Sequence, residues 1–135
     1  MIKALFDTDT LVALLRGDKR LAARIRSKPS QSFAVSTVSL YELCTGVEKS
    51  SAPQKNRRLL EDALAPFSVI PFDPKAAMEA AKVRSRLEKQ GKGIGPYDTL
   101  IAGHAVSIRC PLITANEREF CRVSGLKLEN WIGSR

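Results

Sequence analysis

Apolar residues come in two patterns along this chain: short continuous runs, and stretches spaced three or four apart. The run from Ile2 to Phe6 predicts a buried strand, closed by Asp7-Thr8-Asp9. Leu11, Val12, Leu14 and Leu15 then follow at helical spacing up to Gly17, and a basic amphipathic helix is expected from Lys19 to Arg26, where Pro29-Ser30 breaks the pattern. Phe33-Ala34-Val35 predicts a second strand, and Leu40, Leu43, Cys44 and Val47 share one face of the helix after it. Pro53 reopens helix through Leu64, Phe67 to Ile70 predicts a third strand, and Pro74 begins a long Ala-rich helix reaching Leu87, with Asp73 as its N-cap. Gly91 to Gly95 predicts a flexible loop, and Pro96 suits the first turn of a helix running to about Ser107. Pro111 to Thr114 predicts a fourth strand, Glu117 to Phe120 a short helix, and Leu126 to Leu128 a last strand.

Strands that alternate with helices and are apolar throughout imply a mainly parallel sheet with helices on both faces. The expectation is a three-layer α/β/α fold. The chain has no internal repeat, low-complexity tract or linker, so a single domain over 1–135 is expected.

Composition adds a charge imbalance. There are 22 Lys+Arg against 14 Asp+Glu, a net charge of +8, which favours a polyanionic partner. No run of about 18 apolar residues exists, so no membrane span is expected, and the apolar start before Asp7 is too short for a signal peptide. Cys44, Cys110 and Cys121 form no Cys-x-x-Cys pair, which points to a reducing cytoplasm rather than a disulfide framework. His104 is the only histidine. A zinc site of the His/Cys type is therefore disfavoured, and His104 reads as structural.

The acids carry the chemistry. Asp7 follows the first strand, Glu42 is expected in the first turn of the helix after the second, Asp98 follows Pro96, and Asn116 and Glu119 lie just beyond the fourth strand. In an open parallel sheet the carboxyl ends of the strands share one edge, where sites form. Each residue also has a plain structural reading. Ser39-x-x-Glu42 reads as a capping box with Ser39 as N-cap, Asn116-x-x-Glu119 has the related form, and Asp98 complements a helix dipole. Asp98, however, lies in register with Ile101, Ala102 and Ala105, at the end of an apolar stripe, and Asp7 ends a buried strand. Carboxylates gathered in a cleft raise one another's pKa, and a hard divalent cation on oxygen ligands relieves this. An acidic pocket in a basic surround suits metal-assisted cleavage of a phosphodiester, which needs no Ser, Cys or His nucleophile.

These motifs resemble the PIN-domain ribonucleases, and within them the VapC toxins of bacterial type II toxin–antitoxin pairs. The resemblance rests on Leu5-Phe6-Asp7-Thr8-Asp9-Thr10, Ser39-Leu40-Tyr41-Glu42-Leu43, Gly93 through Ala105 with its Gly-Pro-Tyr-Asp core, Leu112 through Phe120, and Gly125 through Trp131. It implies a PIN-like α/β/α fold, with Asp7, Glu42 and Asp98 as metal-binding acids. It further implies Mg²⁺- or Mn²⁺-dependent cleavage of structured RNA, often tRNA, and so inhibition of translation. The implied partners are a second copy of the chain, a VapB-like antitoxin that inserts a segment near the site, and operator DNA reached only through that antitoxin. Asn116 stands where many members have aspartate, so Glu119 is expected to supply the missing charge. Asp9 stands where the family has Asn and reads as a helix cap. Thr8 and Thr114 are expected to orient the acids or a water.

Lys89 and Lys92, beside the Gly-rich loop, are the candidates for phosphate contact, whereas Lys19, Arg20, Arg24, Arg26 and Lys28 read as a solvated helix face. Trp131 reads as an edge-packing anchor. Two rival readings remain at this point. A haloacid-dehalogenase-like phosphatase would use Asp7 as nucleophile and Asp9 as acid/base, although the chain lacks the adjacent pair of aspartates that closes that site. A catalytically silent RNA-binding module would keep the basic surface alone.

Overall fold

A computed structural model describes residues 1–132; the last three of the 135 residues expected in the domain lie outside the described part. Among the described residues the central sheet has five strands in the order β3-β2-β1-β4-β5, and every neighbouring pair is parallel. The strands are β1 (Ala4–Phe6), β2 (Phe33–Ser36), β3 (Phe67–Ile70), β4 (Leu112–Ile113) and β5 (Leu128–Glu129). Helices α1 (Thr8–Leu15), α2 (Lys19–Arg26), α3 (Thr37–Glu48), α4 (Pro53–Leu64), α5 (Pro74–Lys89), α6 (Pro96–Ser107) and α7 (Glu117–Phe120) fill the connections.

Strand side chains alternate between two cores, because successive residues of a strand face opposite sides. Phe6, Phe33, Val35, Phe67 and Ile113 meet Leu11, Leu21, Ile25, Leu43 and Leu60 of α1 to α4. Leu5, Ala34 and Leu112 meet Val83 and Leu87 of α5, Ile101 and Ala105 of α6, and Phe120 of α7. The three-layer α/β/α expectation is therefore met, and both faces are covered. Trp131 sits edge-on to Phe6 and Phe33, at ring separations of 5.3 and 5.2 Å. Among the described residues, no helix is long and apolar enough to cross a membrane.

The three helices expected to open on proline do so, at Pro53, Pro74 and Pro96. Asp73 caps α5 by accepting the Ala76 N–H. Three local readings need correction. α3 starts at Thr37, with Ser36 as its N-cap accepting from the Val38 N–H at 3.1 Å. Ser39 is thus not the cap, and Glu42 lies in the second turn rather than the first. The reason is that β2 pairs with β3 as far as Ser36↔Ile70, so the strand passes into the helix without a loop. At α1 the cap is Asp7, whose Oδ1 accepts the Thr10 N–H at 2.9 Å, and Asp9 stands exposed in the first turn. The last strand lies at Leu128–Glu129 rather than Leu126–Leu128, because the turn at Gly125 (φ +80°) delays its pairing with β4.

His104 is buried on α6, with Nδ1 2.8 Å from Ser36 Oγ. Ser36 is itself fully buried, so this pair ties α6 to the β2–α3 junction and offers no nucleophile to solvent.

Candidate active site

β1 is flanked by β2 on one side and β4 on the other: the chain runs outward from β1 through β2 to β3, then crosses back to β4, so the strand order diverges on the two sides of β1. That divergence opens a crevice at the carboxyl ends of β1 and β4, where open α/β sheets bind ligands. Asp7 is the first residue after β1 and is only 2% exposed. Its backbone N–H still continues the sheet, donating to the Ile113 carbonyl at 3.0 Å. Its carboxylate is held at both oxygens: Oδ1 by the Thr10 N–H, and Oδ2 by the Thr114 hydroxyl at 2.5 Å. Thr114 follows β4, and its Oγ1 accepts the Asn116 N–H at 2.9 Å, which directs the hydroxyl proton toward Asp7.

Glu42 approaches from α3. Thr8 Oγ1 lies 2.6 Å from Glu42 Oε1 and 3.0 Å from Ser39 Oγ. A hydroxyl has one proton and a carboxylate only accepts, so Thr8 donates to Glu42 and receives from Ser39. Asp98 comes from the first turn of α6, where Gly95 and Pro96 set the chain direction. Glu119, on α7, accepts the side-chain amide of Asn116 at 3.3 Å. Asn116 stands at the α7 N-cap position without a side-chain capping bond, so the amide serves Glu119 instead.

Electrostatics shows that these acids share one space. Burial first, and then the charges of Asp7, Asp9, Glu119 and Glu42, raise the Asp98 carboxyl to about 6. Asp7 is also raised, chiefly by burial, while the hydrogen bonds from Thr10 and Thr114 oppose the rise. The other segments predicted to deliver acids therefore lie within electrostatic reach of Asp98. Among the described residues, however, no three Asp, Glu, His or Cys side chains close into a group that could hold a metal ion. Lys89, the last residue of α5, and Lys92, in the loop after it, are exposed, and no hydrogen bond or ion pair ties either to the acids among the described residues.

Some participants were not singled out from sequence. Thr10 is fully buried, and its hydroxyl reaches the Ile113 carbonyl at 3.3 Å; its place three residues after Asp7 was the legible sign. Ser39 was read as a cap, not as the partner of Thr8. Arg122 fixes the Gly-rich loop by donating to the Gly93 carbonyl at 3.1 Å. The basic helix α2 is not simply solvated, since the Arg24 guanidinium stacks 4.0 Å from the Trp131 ring centroid.

The PIN domain family model matches residues 4–126. The chain belongs to the PIN-domain family. It falls among the VapC ribonucleases by similarity over nearly its whole length. It is 33% identical to the tRNA(fMet)-specific endonuclease VapC of Salmonella typhimurium, covering 97% of this chain and 99% of that one. It is 36% identical to the enzyme of the same name from Shigella flexneri, with the same coverage. Among solved structures, the DNA-bound VapBC complex of Salmonella typhimurium matches with a TM-score of 0.93 at 33% identity over 97% of this chain and 99% of that chain. The promoter-DNA-bound VapBC2 complex of Rickettsia felis matches at 0.88 and 31%, with the same coverage.

Proposed function

We propose that this PIN-domain protein is a Mg²⁺- or Mn²⁺-dependent endoribonuclease, the toxin of a toxin–antitoxin pair, which cuts RNA of the tRNA class and so inhibits translation. The observation that carries the reading is the placement of Asp7 after β1, Glu42 on α3, Asp98 on α6 and Glu119 on α7 about the crevice in a chain of net charge +8, with burial and the neighbouring acids raising the Asp98 carboxyl. Such a pocket is short of positive charge, and its donors are all oxygen, which suits a hard cation. Magnesium keeps several waters and binds through one or two carboxylates plus substrate phosphate, so acids that face one crevice without closing a cage fit it. Asp7 and Asp98 would hold the ion, with Glu42 reaching it directly or through water. A bound ion would supply an activated water and neutralise charge building on the phosphodiester.

The chain's own residues do the rest. Thr114 and Thr10 fix the direction of Asp7, and Thr8 fixes Glu42. Glu119, steadied by Asn116, accepts the proton of the attacking water.

The Salmonella and Shigella relatives named for tRNA(fMet) support a tRNA target. The VapBC complexes support an antitoxin partner, with DNA bound by the complex. An apolar groove of about 420 Å³, lined by Val12, Leu15, Leu43, Val47 and Leu59, opens beside Thr8 and Glu42 and suits an inserted antitoxin segment. A homodimer and a cytoplasmic setting complete the reading.

The test is cleavage by chelator-stripped protein on adding Mg²⁺ or Mn²⁺, with RNA ends sequenced, and a small phosphate monoester in parallel. Cleavage of RNA only with metal supports the reading. RNA binding without cleavage would establish the silent module, and monoester hydrolysis through a phospho-aspartate would establish the phosphatase. A finer expectation concerns Thr114→Val, which removes the donor to Asp7 at nearly equal volume. Asp7 then rises further, so the acidic limb of the pH–rate profile should move up, with activity near pH 7 down by about tenfold. An unmoved profile would show that Thr114 does not position Asp7.

A further inference from the structure

Beside the acids stands a feature that the cleavage chemistry does not use. Tyr41 precedes Glu42, and Tyr97 precedes Asp98. The two rings come from different helices, α3 and α6, which pack together. Their centroids are 5.7 Å apart and the planes are inclined at 53°. Both are exposed, 56% for Tyr41 and 42% for Tyr97, among few large apolar side chains left open to solvent. Packing between these helices does not require the pair to be aromatic, because neither ring lies within either core cluster. The pair adjoins the acids along both helices, since Tyr41 is next to Glu42 on α3 and Tyr97 is next to Asp98 on α6, and the Glu42 charge acts on the Tyr97 hydroxyl.

Aromatic side chains that rim a phosphodiester-cleaving site have one well-defined use with nucleic acid. Every base has a π-face, so stacking on tyrosine binds unpaired bases with little sequence preference. In a duplex those faces are covered by neighbouring bases, and sequence-reading of RNA accordingly targets loops with splayed bases. A tilted pair offers two differently inclined faces at the place where the backbone must bend into the crevice.

Resting on the ribonuclease reading above, we infer that Tyr41 and Tyr97 form a stacking platform that holds one unpaired base next to the scissile phosphate. The platform positions the backbone over the acids and excludes uninterrupted duplex.

The experiment uses a fluorescent stem-loop RNA and a fully paired RNA containing the same strand. Cleavage by the parent protein is confirmed first. Binding is then measured in an Asp98→Asn background, with Tyr41→Ala, Tyr97→Ala, the double variant, and both Tyr→Phe changes. Alanine is expected to weaken loop binding by about 10–100-fold while duplex binding stays constant, and phenylalanine is expected to restore it. In otherwise wild-type protein KM should rise in proportion, with kcat at saturation moved less. A 2-aminopurine at the unpaired position should be quenched by the parent and not by the double alanine variant. Equal loop binding by the parent and the double variant would overturn the platform. So would a loss shared by loop and duplex RNA that accompanies a fall in oligomeric mass, since the tyrosines would then serve contact with a second copy. If the parent cleaves no RNA at all, the ribonuclease reading fails and this inference fails with it.

Discussion

Asp98→Asn is expected to lower RNA cleavage by about 10³-fold and, in the absence of metal, to make the protein more stable. The loss follows from removing one of the carboxylates proposed to hold the ion. Lewis-acid stabilisation is worth several kcal/mol, and about 4 kcal/mol corresponds to 10³ in rate. The gain follows from the state of the carboxyl in the metal-free fold. Asp98 titrates at about 6 against an ordinary value of 3.8, so ionising it in the crevice costs folding free energy. Taken at face value this is about 3 kcal/mol, and solvent screening at a partly buried site reduces it to about 1–2 kcal/mol. The thermal midpoint should rise by about 3–8 °C.

The pH dependence has a definite sign. A carboxyl whose folded pKa is raised imposes its full cost above about 6, and that cost is relieved as pH falls from there toward 3.8. His104 acts in the opposite direction. It is buried and its pKa is lowered, chiefly by burial, so the stability linked to its neutral form is complete above 6.5 and is lost as pH falls below that value. The two slopes partly cancel in the parent protein. His104 is common to both proteins, so the difference between parent and Asp98→Asn isolates the acid. That difference should be largest above pH 7 and vanish near pH 4, and magnesium should stabilise the parent far more than the variant. Thermal melts with and without chelator across this range provide the measurement. A variant less stable than the parent at pH 7.5 without metal would show that Asp98 is not held against repulsion.

Much of this site was legible because most of its acids follow strands. Strand order and the crevice come from continuous apolar runs, and Asp7, Glu42 and Glu119 stand at the exits of those runs or in the helices just after them, whereas Asp98 follows a helix and was marked by Pro96 at the start of α6. The prolines at 53, 74 and 96 marked helix starts because a first-turn N–H has no partner within the helix, so proline loses no hydrogen bond there. What failed to read locally was decided by distant pairing. Ser36-Thr37-Val38-Ser39 offers two serines in capping register, and the extent of β2–β3 pairing selects Ser36. The exposed-face reading of Arg24 missed Trp131, 107 residues further on, and no helical periodicity carries that contact. Asp7 and Asp9 compete for one cap, and the cap goes to the residue whose N–H still belongs to the sheet.

The position where packing reaches the site most directly is Gly103, and Gly103→Ala should be strongly destabilising. Helix α6 crosses α5 in the most extensive helix–helix contact of the fold. A Cβ on Gly103 would lie 2.3 Å from Ala80 Cα and 2.5 Å from Ala80 N. Those are backbone atoms, so no rotamer change makes room and the helices must separate by about 1 Å or more to restore ordinary contact. Overpacking of this kind costs about 3 kcal/mol, outweighing the roughly 1 kcal/mol by which alanine favours helix over glycine. The net loss of about 2 kcal/mol should lower the midpoint by about 6–8 °C. Gly46 on α3 supplies the control: an added Cβ there meets nothing within 4 Å, so Gly46→Ala should be neutral or stabilising by about 0.5–1 kcal/mol. The Gly103 effect should also reach catalysis below the melting temperature. Asp98 sits five residues earlier on the same helix, and displacing a reacting group by about 1 Å costs on the order of 10²-fold in rate. Folded Gly103→Ala protein should therefore cleave RNA more slowly than its residual stability accounts for. Equal midpoints for the two alanine variants would refute the close α5–α6 approach that holds Asp98 in the crevice.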